Sequence, residues 1–198
     1  LAARLGFAVV IIDGRGSSQR GLAFEAPIQR RLGRIELADQ LAGLRWLARE
    51  RGIVDMERVA ISGWSYGGYL SLMGLALYPD AFKLAIAGAP VTQWEAYDSA
   101  YTERYMGLPS EHPTEYMLSS VMHYIDYFPN EENRLLIVHG LMDENVHFTH
   151  TERLMNALIK RNKPHHVQFY PGERHGLRHA EANEHYETLF FWWLLNYL

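Results

Sequence analysis

Gly63-Trp64-Ser65-Tyr66-Gly67-Gly68 follows directly on the apolar run Val59-Ala60-Ile61. A serine set between glycines where a strand turns into a helix is a way of presenting a nucleophile. Such a corner is tight, so the positions two before and two after the serine must carry almost no side chain. Gly63 and Gly67 meet that need, and residues 69–77 read as an apolar helix beyond the corner. A serine hydroxyl attacks poorly near neutral pH and needs a base, itself oriented by an acid. Both types occur downstream, each just past an apolar run. Asp143 follows Leu135-Leu136-Ile137-Val138-His139-Gly140, and His175 follows Val167-Gln168-Phe169-Tyr170-Pro171. In this reading His175 takes the proton of Ser65, and Asp143 holds the imidazole in its useful tautomer. The N–H of Tyr66 donates to the oxyanion. Glu144 is the rival acid.

These groups need a scaffold that brings strand ends together. Residues 7–12 form a continuous apolar run of the kind buried on both faces of a parallel sheet. A helix is expected from about 35 to 50, with Leu37, Leu41, Leu44 and Leu47 near helical spacing. Further strands are expected at 59–62 and 84–88, then at the two runs that precede Asp143 and His175. Helices are expected at about 150–161 and from 181 onward. Alternating strands and helices predict an α/β protein with a mostly parallel sheet and helices on both faces. With the serine corner, that is the α/β-hydrolase fold. In that fold the nucleophile follows the fifth strand, whereas one strand precedes it here. We therefore expect the C-terminal part of one catalytic domain. Upstream strands, including one between 7–12 and 59–62, are expected to lie outside the 198 residues, with the second oxyanion donor. Alone, this part is expected to be inactive.

Composition narrows the classes. A 48% hydrophobic and 21% charged chain suits one globular core. A net charge of −4 gives no reason to expect nucleic acid as a partner. There is no cysteine, hence no disulfide framework. No apolar run reaches membrane-spanning length. The opening Leu1-Ala2-Ala3-Arg4-Leu5-Gly6 reads as the end of a helix.

Several longer blocks carry a family resemblance. They are Gly63 to Tyr69, Ala89-Pro90-Val91-Thr92, Tyr97-Asp98-Ser99, Tyr101-Thr102-Glu103-Arg104-Tyr105-Met106-Gly107, His139-Gly140 and Asp143-Glu144-Asn145-Val146-His147-Phe148. In this order they resemble dipeptidyl peptidase IV-like serine peptidases, of the prolyl oligopeptidase type, across essentially the whole chain. Asp143-Glu144-Asn145 and Tyr170-Pro171-Gly172-Glu173-Arg174-His175 look most like the branch of dipeptidyl peptidases 8 and 9. Gly176 departs from that branch. The resemblance implies release of N-terminal dipeptides with Pro or Ala in second position, a β-propeller upstream, a homodimer and a cytoplasmic location. It places Val91, Trp94, Tyr97, Tyr101, Val146 and Tyr66 around the proline ring, and Asn145 on a substrate carbonyl. A small aromatic pocket suits so compact an apolar ring. The family's amine-binding glutamates belong to the propeller.

The remaining signals point to structure. His147 with His150 and the pair His165-His166 lack a recognised zinc spacing, so neither metal nor cofactor is expected. Asp13 and Arg15 sit in a Gly-rich loop without a phosphate-binding pattern and read as structural. An ion pair between Glu103 and Arg104 is expected to fix their segment. The run Phe190-Phe191-Trp192-Trp193-Leu194-Leu195 suits either the core or a dimer contact. The alternatives to the dipeptidyl reading are an oligopeptidase or acylaminoacyl peptidase on the same fold, and a noncatalytic interaction protein.

Overall fold

The computed structural model describes residues 2–198. After a 3-10 turn at Ala2–Leu5, the helices begin with the short α1 (Leu22–Glu25) and the long α2 (Ile35–Arg51). Leu1, the first residue of the expected helix end, lies outside the described residues. Four strands follow: β1 (Ala60–Trp64), β2 (Leu84–Gly88), β3 (Leu135–Gly140) and β4 (His166–Tyr170). They lie side by side in chain order, and all three pairings are parallel. Parallel neighbours need a crossover. Between β1 and β2 it is α3 (Tyr66–Leu77). Between β2 and β3 it is a long segment with α4 (Ser99–Met106) and α5 (Pro113–Ser119). Between β3 and β4 it is α6 (Thr149–Lys160), and α7 (Ala180–Tyr197) closes the chain.

Alternation along the strands sorts their side chains into two cores. Ala85, Ala87, Leu135 and Ile137 pack with Leu37, Leu41 and Leu44 of α2, with Leu72 and Leu75 of α3, and with Leu154 and Leu158 of α6. Leu84, Ile86, Leu136 and Val138 pack with Trp193 and Leu194 of α7. Both faces are thus covered, which is why β2 and β3 read as unbroken apolar runs. The aromatic run of α7 is buried only in part. Trp193 and Leu194 enter the core, while Trp192 and Leu195 stay 49% and 56% exposed.

One expected strand is absent. Residues 7–12 join no ladder among the described residues, and Val9 and Ile11 are 72% and 88% exposed. Apolar β-branched residues favour extended backbone, yet a strand also needs a neighbour to take its hydrogen bonds. Here the segment is held against α2, where the Gln40 side chain donates to the Ile12 carbonyl at 3.0 Å. Between it and β1 runs a groove of about 890 Å³, lined by Phe7, Val10, Ile12, Ala60, Leu70 and Phe190 among others.

Two smaller expectations part ways. Arg15 forks onto Asp39 of α2 at 2.7–3.2 Å, the structural role expected of it. Glu103 and Arg104 form no ion pair among the described residues. They are adjacent on α4, where successive residues do not face each other, and the Arg104 guanidinium lies 5.7 Å from the Tyr105 ring centre.

Candidate active site

The corner after β1 is strained as a nucleophile corner should be. Ser65 has φ 60° and ψ −115°, a backbone region that residues with a Cβ seldom occupy. The crowding falls on Gly63, where a Cβ would stand 2.5 Å from the Gly67 carbonyl carbon. A Cβ on Gly67 would meet nothing within 4 Å. It is therefore the Gly67 backbone, not a clash of its own side chain, that Gly63 must accommodate. Tyr66 opens α3, so its N–H belongs to the first turn, which has no intrahelical acceptor. That amide points with the positive end of the helix dipole toward the corner.

The three candidate groups meet although they come from distant parts of the chain. Ser65 Oγ is 3.0 Å from His175 Nε2, and His175 Nδ1 is 2.8 Å from Asp143 Oδ2. Gly140 makes this meeting possible. A Cβ there would lie 2.4 Å from the Arg174 carbonyl oxygen, so only glycine lets the histidine loop cross the end of β3. The loop is tied twice more. The Trp64 indole donates to the His175 carbonyl at 2.5 Å, and the Glu173 carboxylate accepts the Arg178 amide at 2.7 Å. Glu144, the rival acid, is exposed and lies 3.7 Å from Arg174.

Asp143 is a buried carboxylate with every oxygen engaged. Oδ1 accepts the amides of Asn145 and Val146, both at 2.9 Å. Oδ2 accepts from His175 and lies 3.1 Å from Nε2 of His139. Burial opposes its ionisation, but the hydrogen bonds from His139, His175 and the Asn145 amide outweigh that and hold its pKa well below the usual carboxylate range. A lasting negative charge therefore faces His175, which is the arrangement that orients an imidazole for proton transfer.

Beside the serine stands an aromatic wall. Trp94 stacks on Tyr101 with ring centres 6.1 Å apart, and Tyr97 meets Tyr101 edge-on at 5.4 Å. Tyr66 closes the wall 5.8 Å from Trp94. Trp94, Val91 and Val146 are buried within the core, while Tyr97, Tyr101 and Asn145 reach the surface. The Tyr97 hydroxyl donates to Asn145 Oδ1 at 2.7 Å, which leaves the Asn145 NH2 to donate elsewhere. Burial and the neighbouring tyrosines push the Tyr101 hydroxyl up to about 12, so the wall is uncharged at neutral pH.

Three groups escaped the sequence reading. His139 reads there as part of a strand and Glu173 as part of a motif, and Glu36 is not singled out within the expected helix at 35–50. Glu36 of α2 accepts a short hydrogen bond from the Tyr66 hydroxyl, and its second oxygen, Oε2, is buried without a hydrogen-bond partner among the described residues. A charged residue in the first turn of α2 gives no hint of this, because its partner lies 30 residues away. Desolvation raises the Glu36 pKa, against the weaker pull of Tyr66 and of the nearby Glu36, Gly33 and Arg34 amides. Such a carboxyl favours folding while protonated. Its stabilising effect is full below the unfolded value of 4.5 and fades as pH rises through the raised folded value. Glu36→Gln should therefore melt higher than the parent, with a margin that grows from pH 4 upward. Melting curves across pH test this, and a constant margin would contradict it.

Comparison with known proteins adds an independent finding. The sequence profile of the prolyl oligopeptidase family matches residues 1–198. The chain is 52% identical to dipeptidyl peptidase 8 of Mus musculus over 99% of its length, which is 22% of that protein. It is 40% identical to dipeptidyl peptidase 4 of Bos taurus over 95% of its length, and 39% identical to prolyl endopeptidase FAP of Homo sapiens over 94%. In both of these it spans 24% of the relative. The chain thus covers about a quarter or less of the length of these relatives.

Proposed function

The chain belongs to the prolyl oligopeptidase family, and from that premise we propose that it is the catalytic portion of a serine peptidase, a post-proline dipeptidyl aminopeptidase. The observation that carries the reading is the continuous hydrogen-bonded line from Ser65 through His175 to Asp143, set beside an aromatic wall. In the proposed reaction Ser65 Oγ attacks the carbonyl carbon of the second residue, and His175 takes its proton. The Tyr66 amide stabilises the oxyanion of the tetrahedral intermediate. His175 then protonates the leaving amine, and the acyl-enzyme is hydrolysed by water with the same histidine as base.

The wall suits proline or alanine in the second position. Tyr97 and Tyr101 offer ring faces to a compact apolar side chain, with Trp94, Val91 and Val146 as rigid support behind them. The unused NH2 of Asn145 fits a substrate carbonyl. The names of the relatives support the dipeptidyl reading, since two of the three are dipeptidyl peptidases. The third is named an endopeptidase, which favours the oligopeptidase alternative.

The domain reading belongs to the same proposal. The 198 residues act within a longer catalytic domain, and an extended segment from outside them pairs with β1 in the apolar groove. Residues 7–12, which line that groove and join no ladder among the described residues, support this reading.

One experiment separates the readings: chromophore release from Gly-Pro with a free amine and from the same dipeptide with a blocked amine. Full-length protein should cleave only the free form, while residues 1–198 alone should cleave neither. Preference for the blocked form would move the protein to the oligopeptidase or acyl-peptidase alternative. Turnover by residues 1–198 alone would overturn the domain reading.

A further inference from the structure

We infer that His139 is a positioning residue for the proposed reaction: it donates from Nε2 to the carboxylate of Asp143 and thereby sets how strongly that carboxylate draws the proton of His175. The inference rests on the serine peptidase reading. His139 lies on β3 and is wholly buried. An uncompensated polar side chain in an apolar strand is costly, yet every ring nitrogen here has a partner. Nε2 is 2.9 Å from the Val146 carbonyl and 3.1 Å from Asp143 Oδ2, and Nδ1 is 2.7 Å from Thr151 Oγ1 on α6.

The partners dictate the proton's place. A carbonyl and a carboxylate can only accept, so Nε2 must carry the hydrogen. In the neutral ring Nδ1 then accepts the Thr151 hydroxyl proton. The line runs Thr151, His139, Asp143, His175, Ser65, with each member holding the next. Two histidines share the single oxygen Oδ2, while Oδ1 is taken by two backbone amides. A donor on a carboxylate withdraws negative charge from it and limits its basicity. His139 thus tempers the acid instead of merely packing beside it.

Other groups face this line. His150 of α6 lies near His139 and is itself driven down to about 4, chiefly by burial. Tyr97 stands near Asp143 on the pocket side and is neutral. The Phe148 ring packs 5.6 Å from the His139 ring. The charge that His139 can act on is that of Asp143.

His139→Phe keeps an aromatic ring at this position, slightly larger than imidazole, and removes the donor. With the donor gone, Asp143 holds a fuller charge and His175 keeps its proton to higher pH. The acid limb of the kcat/KM profile should then move up by roughly half a pH unit, with a rate loss of about tenfold or more as Asp143 loses a restraint. His139→Gln, whose amide nitrogen can replace Nε2, should keep the limb near its original place. Thr151→Val, a milder change in case the phenylalanine variant folds poorly, should move the limb the same way by less.

The profiles are measured in full-length protein in two ways: hydrolysis of free-amine Gly-Pro substrate, and phosphonylation of Ser65 by a fluorophosphonate. The second needs the serine and its base but no peptide specificity. Movement in phosphonylation without peptide turnover would uphold the inference and defeat the dipeptidyl reading. Equal limbs in all four proteins, with only melting temperature lowered, would reduce His139 to packing and overturn the inference. Equal movement in the Phe and Gln variants would overturn it as well.

Discussion

Ser65→Ala is expected to lower kcat on free-amine Gly-Pro substrate by about a millionfold, with little change in melting temperature. The loss is large because nothing else in the cleft can replace Oγ. His175 Nε2 stands 3.0 Å from that one oxygen, and a water taking its place would have no fixed path to the carbonyl carbon. The fold should not notice. Alanine keeps the Cβ that already tolerates φ 60°, and the amide of residue 65 still donates to the Gly88 carbonyl at 2.8 Å. Binding should persist too, since Tyr97, Tyr101 and Asn145 are untouched. A Gly-Pro product analogue should therefore bind the variant within about twofold of its parent affinity, a difference of a few tenths of a kcal/mol. Turnover within a hundredfold of the parent, measured on protein free of contaminating peptidase, would show that Ser65 is not the nucleophile.

Much of this arrangement is legible in the residues. β2 and β3 coincide with their apolar runs because parallel strands covered on both faces need an apolar side chain at nearly every position. α2 begins at the expected Ile35, where leucines at helical spacing become continuous, and stops at Arg51 against Gly52, which takes φ 64°. The serine corner is legible because its glycine requirement is steric and local.

What the residues conceal is pairing at a distance. Residues 7–12 have the composition of a strand, but composition does not supply a neighbour, and the segment stays unpaired beside its groove. His139 looks like one polar interruption of a strand until α6 brings Thr151 against it. Trp64 stands between Gly63 and Ser65 with no role legible in the motif, yet its indole ties down a carbonyl 111 residues away. Glu36 and Tyr66 are each ordinary for a helix and become a half-buried pair only when α2 packs on α3. Local sterics and periodicity are sufficient for β1 to β4 and for the corner at Ser65, whereas the preference for Asp143 over Glu144 comes from the family resemblance. The supporting hydrogen bonds depend on the assembled core.

Asp143→Asn tests that support most sharply, and its kcat should fall by about ten-thousandfold. The direction of the amide is forced. The Asn145 and Val146 amides both donate to Oδ1, so the side-chain oxygen of the asparagine must stay there. Its NH2 then occupies the place of Oδ2, facing Nδ1 of His175 and Nε2 of His139. A donor facing Nδ1 makes that nitrogen an acceptor and moves the imidazole proton to Nε2. There it confronts Ser65 Oγ with a hydrogen already in place, and the ring cannot act as a base. The same NH2 meets the Nε2 hydrogen of His139 donor to donor, which strains the line from its other end. Stability follows in a stated direction. The folded-state pKa of Asp143 is depressed, so its charge stabilises the fold above the unfolded carboxylate range, and that contribution fades as pH falls toward the depressed value. The asparagine variant should accordingly melt below the parent at pH 7, and the gap should narrow as the medium is acidified. Kinetics at pH 7 and melting curves from pH 7 down to about pH 2, below the unfolded carboxylate range, decide the matter. A variant retaining more than a tenth of parental kcat would mean that Asp143 neither selects the tautomer nor balances charge, and the acid would have to be sought elsewhere.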